Sequence, residues 1–372
     1  MQIKKNIPLA KYTTFKIGGA AKYFCEVKNQ LEALEAYEFA ETNKLSVFVL
    51  AGGSNVLIND RGFDGLVIKI SGFGIEIIRD NEREVILKVS AGHNWDDLVS
   101  FAVTNGWWGI ENLSHIPGST GAIAVQNVGA YGQEASQILC SVTVFDRTTK
   151  QILELTNKQC GFGYRSSIFN SSDKNKYLIF YVTLRLNKLG RPNLSYKDLK
   201  SSIKVAKAIN SKVRPREQIK IIREEIIRIR DEKFPYPSRP KNGNAGSFFR
   251  GPVITEKAME KLKKQLTEIF GLHVASRLNF MGPALKVAQG FKTPAAFLID
   301  ICGLKGFVVG GAAINASQPA IVLNFSGHAT ASDVLKLAKS VRKKVYVMTG
   351  VLLNFEPEFV GFSPNELKSL EV

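Results

Sequence analysis

Two glycine-rich segments constrain the fold of this chain more than any other feature of its sequence. The first, AGGSNVLIND at 51–60, follows an apolar, β-branched stretch that is typical of a strand. The second, PGSTGAIAVQNVGAYG at 117–132, is too irregular for a helix and too rich in glycine for a regular strand. Glycine lets the backbone approach a ligand or another segment closely. The sequence therefore predicts two loops whose backbone lies against something else.

Loops of this kind can bind an anion. In the first segment the Gly52-Gly53 pair lets successive backbone N–H groups point the same way, and Ser54 and Asn55 add side-chain hydrogen-bonding groups. A pyrophosphate suits this arrangement, although a Gly-Gly pair between strands is more often only a turn. Two such loops together could hold one extended dinucleotide. Neither has the G-K-[ST] of a Walker A loop or the G-x-G-x-x-G that opens a Rossmann helix, so a nucleotide held outside those folds is indicated.

The segments around the loops predict a mixture of helices and strands. A helix is predicted after Asn94 as N-cap, with Gly106 at its C-terminal end, and another from Ser332 to Gly350. A third helix is predicted at 256–270. Strands are predicted from alternating or continuous apolar runs at 46–50, 66–70, 85–92, 141–146 and 177–186, and in FVVGGAAI and PAIVLNF.

Residues 216–233 predict an amphipathic helix. Glu224 and Arg228 on it are spaced for an ion pair one turn apart. Its basic residues could mark a nucleic-acid surface, but the solvated face of an amphipathic helix is the commoner explanation. Prolines in FPYPSRPK follow, which favours a domain boundary near 215–240. Four isoleucines three or four residues apart fall on one helical face: Ile219, Ile222, Ile226 and Ile229.

Composition excludes several classes of protein. The hydrophobic share of 45% and the charged share of 22% are those of an ordinary globular protein rather than a disordered one. The histidines form no H-x-x-x-H or H-E-x-x-H pattern, so no metal site is expected. No C-x-x-C pair occurs, and we expect all four cysteines to be buried as small hydrophobic residues: Cys25, Cys140, Cys160 and Cys302.

Charge and hydropathy indicate the cellular location of the chain and the kind of ligand that it attracts. No apolar run is long enough for a signal peptide or a membrane span, so we expect a cytoplasmic location and no membrane partner. The net charge of +17 attracts anions. Nucleic acid, phosphorylated cofactors and a diphosphate substrate all fit that sign, and composition does not separate them.

Seven motifs occur in order over nearly the whole chain: YTTFKIGG, AGGSNVL, PGSTGAIAVQNVGAYG, GYRSSIF, GNAGSFFRGP, LIDICGLKG and LNFEPEF. Together they resemble the UDP-N-acetylenolpyruvoylglucosamine reductase family. The resemblance implies an α+β protein with an FAD-binding fold of the vanillyl-alcohol-oxidase type in two subdomains, 1–70 and 71–215. It further implies a C-terminal α+β substrate-binding domain, 216–372, whose end returns to the active site.

The resemblance also implies an activity. Such an enzyme reduces UDP-N-acetylglucosamine enolpyruvate to UDP-N-acetylmuramate in peptidoglycan precursor synthesis, with noncovalent FAD that NADPH recharges, and it needs no nucleic acid. One alternative is another FAD-dependent oxidoreductase on the same fold, which would explain residues up to about 190 but not GNAGSFF or FEPEF. The other is a nonenzymatic basic protein that binds nucleic acid, which charge alone supports and which lacks the motifs of the common modules.

Three catalytic residues are implied by the resemblance, and chemistry makes each residue type sensible. Arg165 would stabilise the enolate-like charge that hydride addition leaves beside the substrate carboxylate. Ser247 would donate the proton to the adjacent carbon. Glu358, rather than Glu356, would help to stabilise the developing charge. Without the motifs, these would be expected to be a surface arginine, a loop serine and a solvated glutamate.

The same resemblance assigns binding residues. Tyr196 would lie on a segment that closes over the substrate diphosphate, which marks the variant of the family that has this loop, while Lys233 and Asn244 would contact substrate. Gly251 and Ile301 depart from the family pattern, where asparagine and glutamine are usual. The implied cofactor-binding residues are Ala51, Gly52, Gly53, Ser54, Asn55, Val56, Leu57, Pro117, Gly118, Ser119, Gly121, Ala122, Gln126, Asn127, Gly129, Ala130, Tyr131, Gly132 and Tyr164.

Overall fold

A computed structural model describes residues 1–210, 213–233, 236–237, 241, 243–287 and 290–371. The chain forms two compact units. Both combine helices with strands, which confirms the α+β prediction. Unit 1 consists of Met1–Ile7, Lys22–Gly52 and Asp64–Tyr236, and unit 2 of Pro8–Ala21, Gly53–Phe63 and Pro237–Val372.

Unit 1 is built around two sheets. The larger sheet is antiparallel throughout, and its strands in spatial order are Gln151–Thr156, Leu139–Asp146, Tyr177–Asn187, Glu84–Ser90 and Ile75–Asp80. The other sheet lies almost wholly in this unit and has the order Lys4–Pro8, Ala20–Val27, Phe63–Ile70 and Ser46–Leu50, of which the last two strands run parallel. A short ladder joins Gly129–Ala130 to Gln133–Glu134.

Helices cover the sheets of unit 1 and end where local chemistry predicts. The side chain of Asn94 caps the helix Trp95–Asn105 by accepting from the Asp97 N–H, and Gly106 ends it in the left-handed conformation, as predicted. The other helices are Gln30–Thr42, Thr120–Val125, Lys197–Lys200, Ile203–Asn210 and Pro215–Lys233, with 3₁₀ turns at Glu111–Leu113, Ala135–Gln137 and Ile168–Asn170.

The helix Pro215–Lys233 confirms the amphipathic pattern. Its four predicted isoleucines are buried in the core of unit 1. Of its basic residues, Arg216 and Arg228 are exposed, whereas Arg230 is buried. The predicted pair of Glu224 with Arg228 is wrong. Glu224 instead binds Lys204, and Arg228 binds Glu225 and Glu232. A lysine on another helix competes for Glu224, and two carboxylates of the same helix compete for Arg228.

The prediction that 117–132 contains no helix is wrong for Thr120–Val125. Gly121 explains why a short helix forms there. A Cβ on Gly121 would lie 2.6 Å from the Cβ of Ala91, so glycine lets this helix pack directly beside the end of a strand. Tertiary packing therefore outweighs the low helix propensity of the segment.

Unit 2 contains smaller sheets and longer helices. Its four-stranded sheet has the order Asn244–Ser247, Ile321–Asn324, Ala312–Ile314 and Val308–Val309. The strand Glu358–Val360 runs parallel to Val56–Ile58, so the C-terminal end of the chain returns to the first glycine-rich segment. The remaining strands are Val253–Ile254, Gly290–Lys292, Lys286–Val287, Phe249–Arg250 and Asn354–Phe355, with a 3₁₀ turn at Ala10–Tyr12.

The helices of unit 2 enclose an apolar core that includes Phe248, Leu298 and Leu337. The helix predicted at 256–270 is confirmed. The helix predicted from Ser332 begins at Ala331, because Thr330 rather than Ser332 provides the N-cap, and Gly350 ends it as predicted. The helices are Glu256–Phe270, Leu272–Leu285, Ala295–Ile301, Ala331–Thr349 and Pro364–Lys368.

The contacts group the chain differently from the three ranges 1–70, 71–215 and 216–372. The helix Pro215–Lys233 packs inside unit 1, and Gly53–Phe63 belongs to unit 2. The three ranges stay a prediction about functional domains. Part of the proline-containing boundary, including Pro235 and Pro240, lies outside the described residues.

Two further expectations concern burial. Cys25, Cys160 and Cys302 are buried as predicted, and burial raises the pKa of the Cys25 thiol to about 12. Cys140 is only partly buried, so the prediction is wrong for that residue. Among the described helices, none combines the length and apolar character that crossing a bilayer requires.

Candidate functional site

The two glycine-rich segments meet backbone to backbone in unit 1. A Cβ on Gly52 would lie 2.5 Å from the Cα of Gly118, a separation that real Cβ atoms do not tolerate. The turn that ends the strand Ser46–Leu50 thus touches the loop that precedes the helix Thr120–Val125. This contact confirms that the glycines allow two backbone segments to approach closely. The two predicted cofactor-binding loops therefore lie next to each other.

The side chain of Ser119 indicates that a phosphorylated ligand fits at this junction. Its Oγ is buried and has no hydrogen-bond partner among the described residues. Leaving a buried hydroxyl unpaired costs about 1–3 kcal/mol, which a ligand oxygen accepting from it would remove. The hydroxyl lies next to Gly118, where backbone of the two loops is in contact. The residues present therefore fit the pyrophosphate of a dinucleotide such as FAD.

Lys69 is hydrogen-bonded to the first loop. Its Nζ donates a hydrogen bond of 2.9 Å to the carbonyl oxygen of Ala51, the residue before the glycine pair. Burial lowers the pKa of this lysine, an effect that the carboxylate of Glu26 partly offsets. A half-buried ammonium beside the turn adds positive charge where an anion would bind. The sequence analysis did not identify Lys69.

We expect Lys69→Met to weaken FAD binding about tenfold, because it removes both the bond to Ala51 and a nearby positive charge. Titration of the apoprotein with FAD, followed by the quenching of flavin fluorescence, measures the Kd. Lys88→Met is the matched control, since it removes the same charge from a lysine of unit 1 whose ammonium lies over the Tyr181 ring. An equal weakening in both variants would mean that only net charge matters.

The second loop ends in a hydrogen-bonded structure around Asn127 and Arg165. The Asn127 amide donates to the Glu134 carboxylate and to the Gly163 carbonyl, and its Oδ1 accepts from the Ser136 N–H. These bonds give Asn127 a structural role in holding the loop. Arg165 Nη2 donates to the carbonyl oxygen of Gly129 at 2.7 Å, so the guanidinium is tied to the predicted cofactor loop.

Four of the nine described non-glycine residues with a positive φ lie in or next to the same region. Arg165 has a φ of 52°, Asn127 of 44°, Tyr131 of 48° and His115 of 59°. Residues with a side chain adopt this left-handed region at a cost of roughly 1–2 kcal/mol each. Such strain persists only where the surrounding contacts enforce it, and it collects at functional sites. Holding the loop and Arg165 in these conformations therefore lowers the stability of the fold.

Tyr196 and Lys233 come together beside the second loop. The Tyr196 ring packs edge-on against that of Tyr131 with centroids 4.9 Å apart, and the Lys233 ammonium lies 5.5 Å from the centroid of Tyr196. Lys233 also binds the carboxylate of Asp198. Burial opposes the charge of Lys233, but the bond to Asp198 and nearby anionic groups raise its pKa overall. The structure therefore brings together two of the three predicted substrate-binding residues.

In unit 2, Thr14 joins two predicted parts of the site. Its backbone N–H donates to the Gly53 carbonyl at 3.0 Å, and its Oγ1 donates to the Asn244 carbonyl at 2.7 Å. Asn244 is buried, and its Oδ1 accepts from the Gly246 N–H. Asn244 therefore helps to shape the strand that carries Ser247, in addition to its predicted substrate contact. Thr14 belongs to YTTFKIGG, but the sequence analysis gave it no role.

Ser247 and Glu358 lie on neighbouring segments of unit 2. Asn55 Nδ2 donates to the Glu356 carbonyl, the Glu358 N–H donates to the Asn55 carbonyl, and the Glu356 N–H donates to the carbonyl of Phe248. The first loop thus fixes the FEPEF segment, which in turn bonds to the residue after Ser247. Ser247 ends a short strand, Asn244–Ser247, which has an irregular register against Ile321–Asn324.

An aromatic cluster surrounds this junction. The Phe248 ring is fully buried, and the neighbouring ring centroids lie 5.3–6.2 Å away. Packed rings allow little movement, so they hold Ser247 and Glu358 on a rigid base. The cluster consists of Phe15, Phe248, Phe249, Phe355 and Phe359.

The departure at Gly251 has a packing explanation. A Cβ at this position would lie 1.9 Å from the carbonyl oxygen of Thr293, so the usual asparagine does not fit this backbone. Ile301 ends the helix Ala295–Ile301 and packs partly buried against the core of unit 2. The contact with Thr293 explains the glycine at 251, whereas nothing in the structure explains the isoleucine at 301.

The remaining predicted residues have varied surroundings. Val56 and Leu57 are buried in the strand paired with Glu358–Val360, and Gly132 contacts the Ser195 hydroxyl region. The Tyr164 ring is partly exposed, and the guanidinium of Arg165 lies 5.9 Å from its centroid. Ser54, Pro117, Ala122, Gln126 and Ala130 are all partly exposed on the two loops. The described residues contain no group of His, Cys, Asp or Glu side chains that could hold a metal ion.

Comparison with known proteins identifies matching families for most of the chain. The sequence model described as "FAD binding domain" matches residues 21–155. The model described as "UDP-N-acetylenolpyruvoylglucosamine reductase, C-terminal domain" matches residues 238–360. These matches confirm the predicted fold, an FAD-binding region followed by a distinct C-terminal domain.

Curated relatives match at full length. The UDP-N-acetylenolpyruvoylglucosamine reductase of Amoebophilus asiaticus is 36% identical over 360 residues, covering 96% of this chain and 98% of its own. The reductase of the same name from Aliivibrio fischeri is 36% identical over 359 residues, covering 96% and 95%. The crystal structure of UDP-N-acetylenolpyruvylglucosamine reductase from Thermus caldophilus has the same fold, with a TM-score of 0.64 at 24% identity, covering 97% of this chain and 99% of that one.

Proposed function

The chain belongs to the UDP-N-acetylenolpyruvoylglucosamine reductase family, and on that premise we propose that it reduces UDP-N-acetylglucosamine enolpyruvate to UDP-N-acetylmuramate, using noncovalent FAD and NADPH. It is an FAD-dependent oxidoreductase of the peptidoglycan precursor pathway. The observation that carries the proposal is the 36% identity over 96% of the chain, because it includes both the cofactor loops and the C-terminal motifs.

The cofactor loops support FAD as the bound group. Gly52 and Gly118 bring the two loops into contact, and beside them lies the Oγ of Ser119, for which the described part of the chain offers no hydrogen-bond partner. These groups would hold the pyrophosphate, and Lys69 would add charge behind the first loop. The bound flavin would supply the hydride for reduction of the substrate double bond. The chain's own residues must then stabilise the charge that develops on the substrate and deliver a proton.

Arg165 is proposed to stabilise that charge. Hydride addition leaves carbanionic, enolate-like charge next to the substrate carboxylate, and a guanidinium fixed in place stabilises it without having to reorganise. The bond from Arg165 to Gly129 and its strained φ support this role, because both hold the side chain and backbone in one arrangement. An arginine that served only as a solvated surface charge would need neither.

Ser247 and Glu358 are proposed to complete the chemistry. Ser247 would donate the proton to the carbon next to the one that accepts hydride, and Glu358 would help to stabilise the developing charge. The bonds through Asn55, Glu356 and Phe248 support a precise placement of both residues. The aromatic cluster around Phe248 limits movement of the segments that carry both residues.

Substrate binding is proposed for Tyr196, Lys233 and Asn244. An ammonium group and a phenol suit the oxygens of a diphosphate, because both donate hydrogen bonds to anionic oxygen. The Lys233 ammonium already lies beside the Tyr196 ring, so the two side chains are placed to act together. We propose a cytoplasmic location, where the nucleotide-linked substrate and NADPH are available.

Substrate-dependent oxidation of NADPH by the purified holoenzyme tests the proposed function. We expect NADPH absorbance to fall only when UDP-N-acetylglucosamine enolpyruvate is added, apart from slow reoxidation by oxygen. UDP-N-acetylglucosamine without the enolpyruvyl group is the matched control, since it keeps the diphosphate but lacks the double bond. Equal rates with both compounds, or none with either, would show instead a different oxidoreductase on the same FAD-binding fold.

A further inference from the structure

A chain of hydrogen bonds in unit 1 links the second cofactor loop to the segment that carries Tyr196. It begins at Glu111, whose carboxylate accepts from the Gly109 N–H at 2.7 Å and from Gln133 Nε2 at 2.8 Å. The Oε1 of Gln133 accepts from the Asn112 N–H at 2.9 Å. Glu111, Asn112 and Gln133 are all buried, so water does not compete for these bonds.

Asn112 makes the central connection. Its Nδ2 donates to the carbonyl oxygens of Tyr131 and Asn193 at 2.7 and 2.8 Å. The first carbonyl belongs to the cofactor loop, and the second lies three residues before Tyr196. Asn112 is fully buried, and its Oδ1 has no partner among the described residues. The flipped amide would set this oxygen against two carbonyls, so the observed orientation is the one that joins the segments.

Asn193 completes the connection from the other side. Its Nδ2 donates to the carbonyl of Gly132 at 2.9 Å, while its Oδ1 accepts from the backbone and the hydroxyl of Ser195. Gly132 has a φ of 84°, and a Cβ there would lie 2.0 Å from the Ser195 Oγ. The Tyr196 segment therefore rests directly on the backbone of the cofactor loop, and only glycine permits that contact.

The consequence for Tyr196 follows from its own contacts. Its side chain is 41% exposed, so little burial holds it in place. The Tyr131 ring at 4.9 Å and the Lys233 ammonium at 5.5 Å are its neighbours, and Tyr131 belongs to the loop that Asn112 binds. The position of Tyr196 thus depends on how its segment is anchored at Asn193 and Ser195.

We propose that Asn112 and Asn193 are positioning residues that attach the Tyr196 segment to the cofactor loop and so set the affinity for the nucleotide-linked substrate. The inference rests on the proposed function, in which Tyr196 binds the substrate diphosphate. The attachment makes substrate affinity sensitive to the geometry of Tyr131 and Gly132, which belong to the cofactor loop. Neither asparagine takes part in the chemical steps.

The test is Asn193→Ala in the FAD-loaded enzyme. We expect the Kd for UDP-N-acetylglucosamine enolpyruvate, measured from the change that it causes in the spectrum of oxidised flavin, to rise about tenfold, because the variant loses the three neutral hydrogen bonds of the Asn193 side chain. The FAD content and the rate of flavin reoxidation at saturating substrate should stay within about twofold of wild type. A weaker Kd with an unchanged limiting rate separates positioning from catalysis.

Two comparisons make the result specific. Asn187→Ala is the matched control, because Asn187 Oδ1 also accepts from the backbone N–H two residues on but makes no bond to the cofactor loop. Its Kd should equal that of wild type. The double variant Asn193→Ala with Tyr196→Ala should bind no more weakly than Tyr196→Ala alone, since Asn193 acts through Tyr196.

Several outcomes would overturn the proposal. An unchanged Kd in Asn193→Ala, an equal rise in Asn187→Ala, or additive effects in the double variant would each do so. Loss of FAD from Asn193→Ala would also overturn it, because the residue would then support the cofactor loop itself. Asn112→Ala should raise the Kd in the same way. Failure of the proposed function has a different signature, since wild-type flavin would then not respond to the enolpyruvyl compound.

Discussion

Ser247→Ala is expected to slow flavin reoxidation by the enolpyruvyl substrate by roughly 10²- to 10⁴-fold, the loss typical of removing a general acid. Flavin reduction by NADPH should stay close to the wild-type rate, because that half-reaction needs no proton from Ser247. The two half-reactions can be followed separately by stopped-flow absorbance of the flavin band. The result would place the serine in one chemical step rather than in the fold.

The surroundings of Ser247 favour a chemical rather than a structural role. The strand that ends at Ser247 is already held by other groups, since Asn244 Oδ1 accepts from the Gly246 N–H and Thr14 Oγ1 donates to the Asn244 carbonyl. The residue after it, Phe248, is fixed by its aromatic neighbours. Removing the Ser247 hydroxyl should therefore leave the backbone in place.

Controls separate this loss from a general disturbance. Ser247→Cys should recover part of the rate, because a thiol can also donate a proton. Ser340→Ala removes another hydroxyl of unit 2, one that donates to the Lys336 carbonyl on an exposed helix face, and should leave both half-reactions unchanged. Reoxidation of Ser247→Ala at the wild-type rate, with substrate still bound, would make Ser247 a loop residue and assign the proton to water or to Glu358.

Local patterns predicted those elements whose ends and faces are determined by neighbouring residues. The helix Trp95–Asn105 begins and ends at its capping residues, and the isoleucines of Pro215–Lys233 lie at the spacing that buries one face. The helix Gln30–Thr42 was not predicted, although its buried Ala33, Ala36, Tyr37 and Ala40 have helical spacing. Small alanines give a weak apolar signal, so the pattern is easily overlooked.

The candidate site was also predicted only in part. The sequence motifs indicated Arg165, Ser247 and Glu358, but they did not indicate the residues that hold these side chains or their loops in place. Thr14, Lys69 and Asn112 act through backbone carbonyls that are distant in sequence. Local sequence patterns do not show which backbone carbonyl a side chain will bond to, because that depends on the tertiary fold. Supporting residues of this kind become visible only in the structure.

Gly53→Val is expected to lose FAD binding, with a Kd on the order of 100-fold weaker, and to lower the melting temperature. Gly53 has a φ of 64°, and a Cβ there would lie 2.2 Å from the carbonyl oxygen of Tyr12. A backbone carbonyl cannot move away cheaply. The flavin-to-protein ratio after gel filtration, with an FAD titration, measures the loss.

The structure identifies what Gly53 approaches. The sequence predicted close approach to a ligand or to another segment, and the structure puts the Tyr12 backbone next to Gly53. The variant should therefore displace the loop itself. Thr14 and Asn55, which bond to the Gly53 carbonyl and to the FEPEF segment, would move with it.

Gly303→Val provides the control that distinguishes these explanations. Gly303 has a similar φ of 66° but has open space around its Cβ position, so it incurs the left-handed cost of roughly 1–2 kcal/mol without a collision. We expect Gly303→Val to melt slightly lower and to keep its FAD. If Gly53→Val retained stoichiometric FAD, the pyrophosphate would have to bind away from this turn. If Gly303→Val lost FAD equally, backbone strain alone would explain both variants, because only Gly53 meets another backbone.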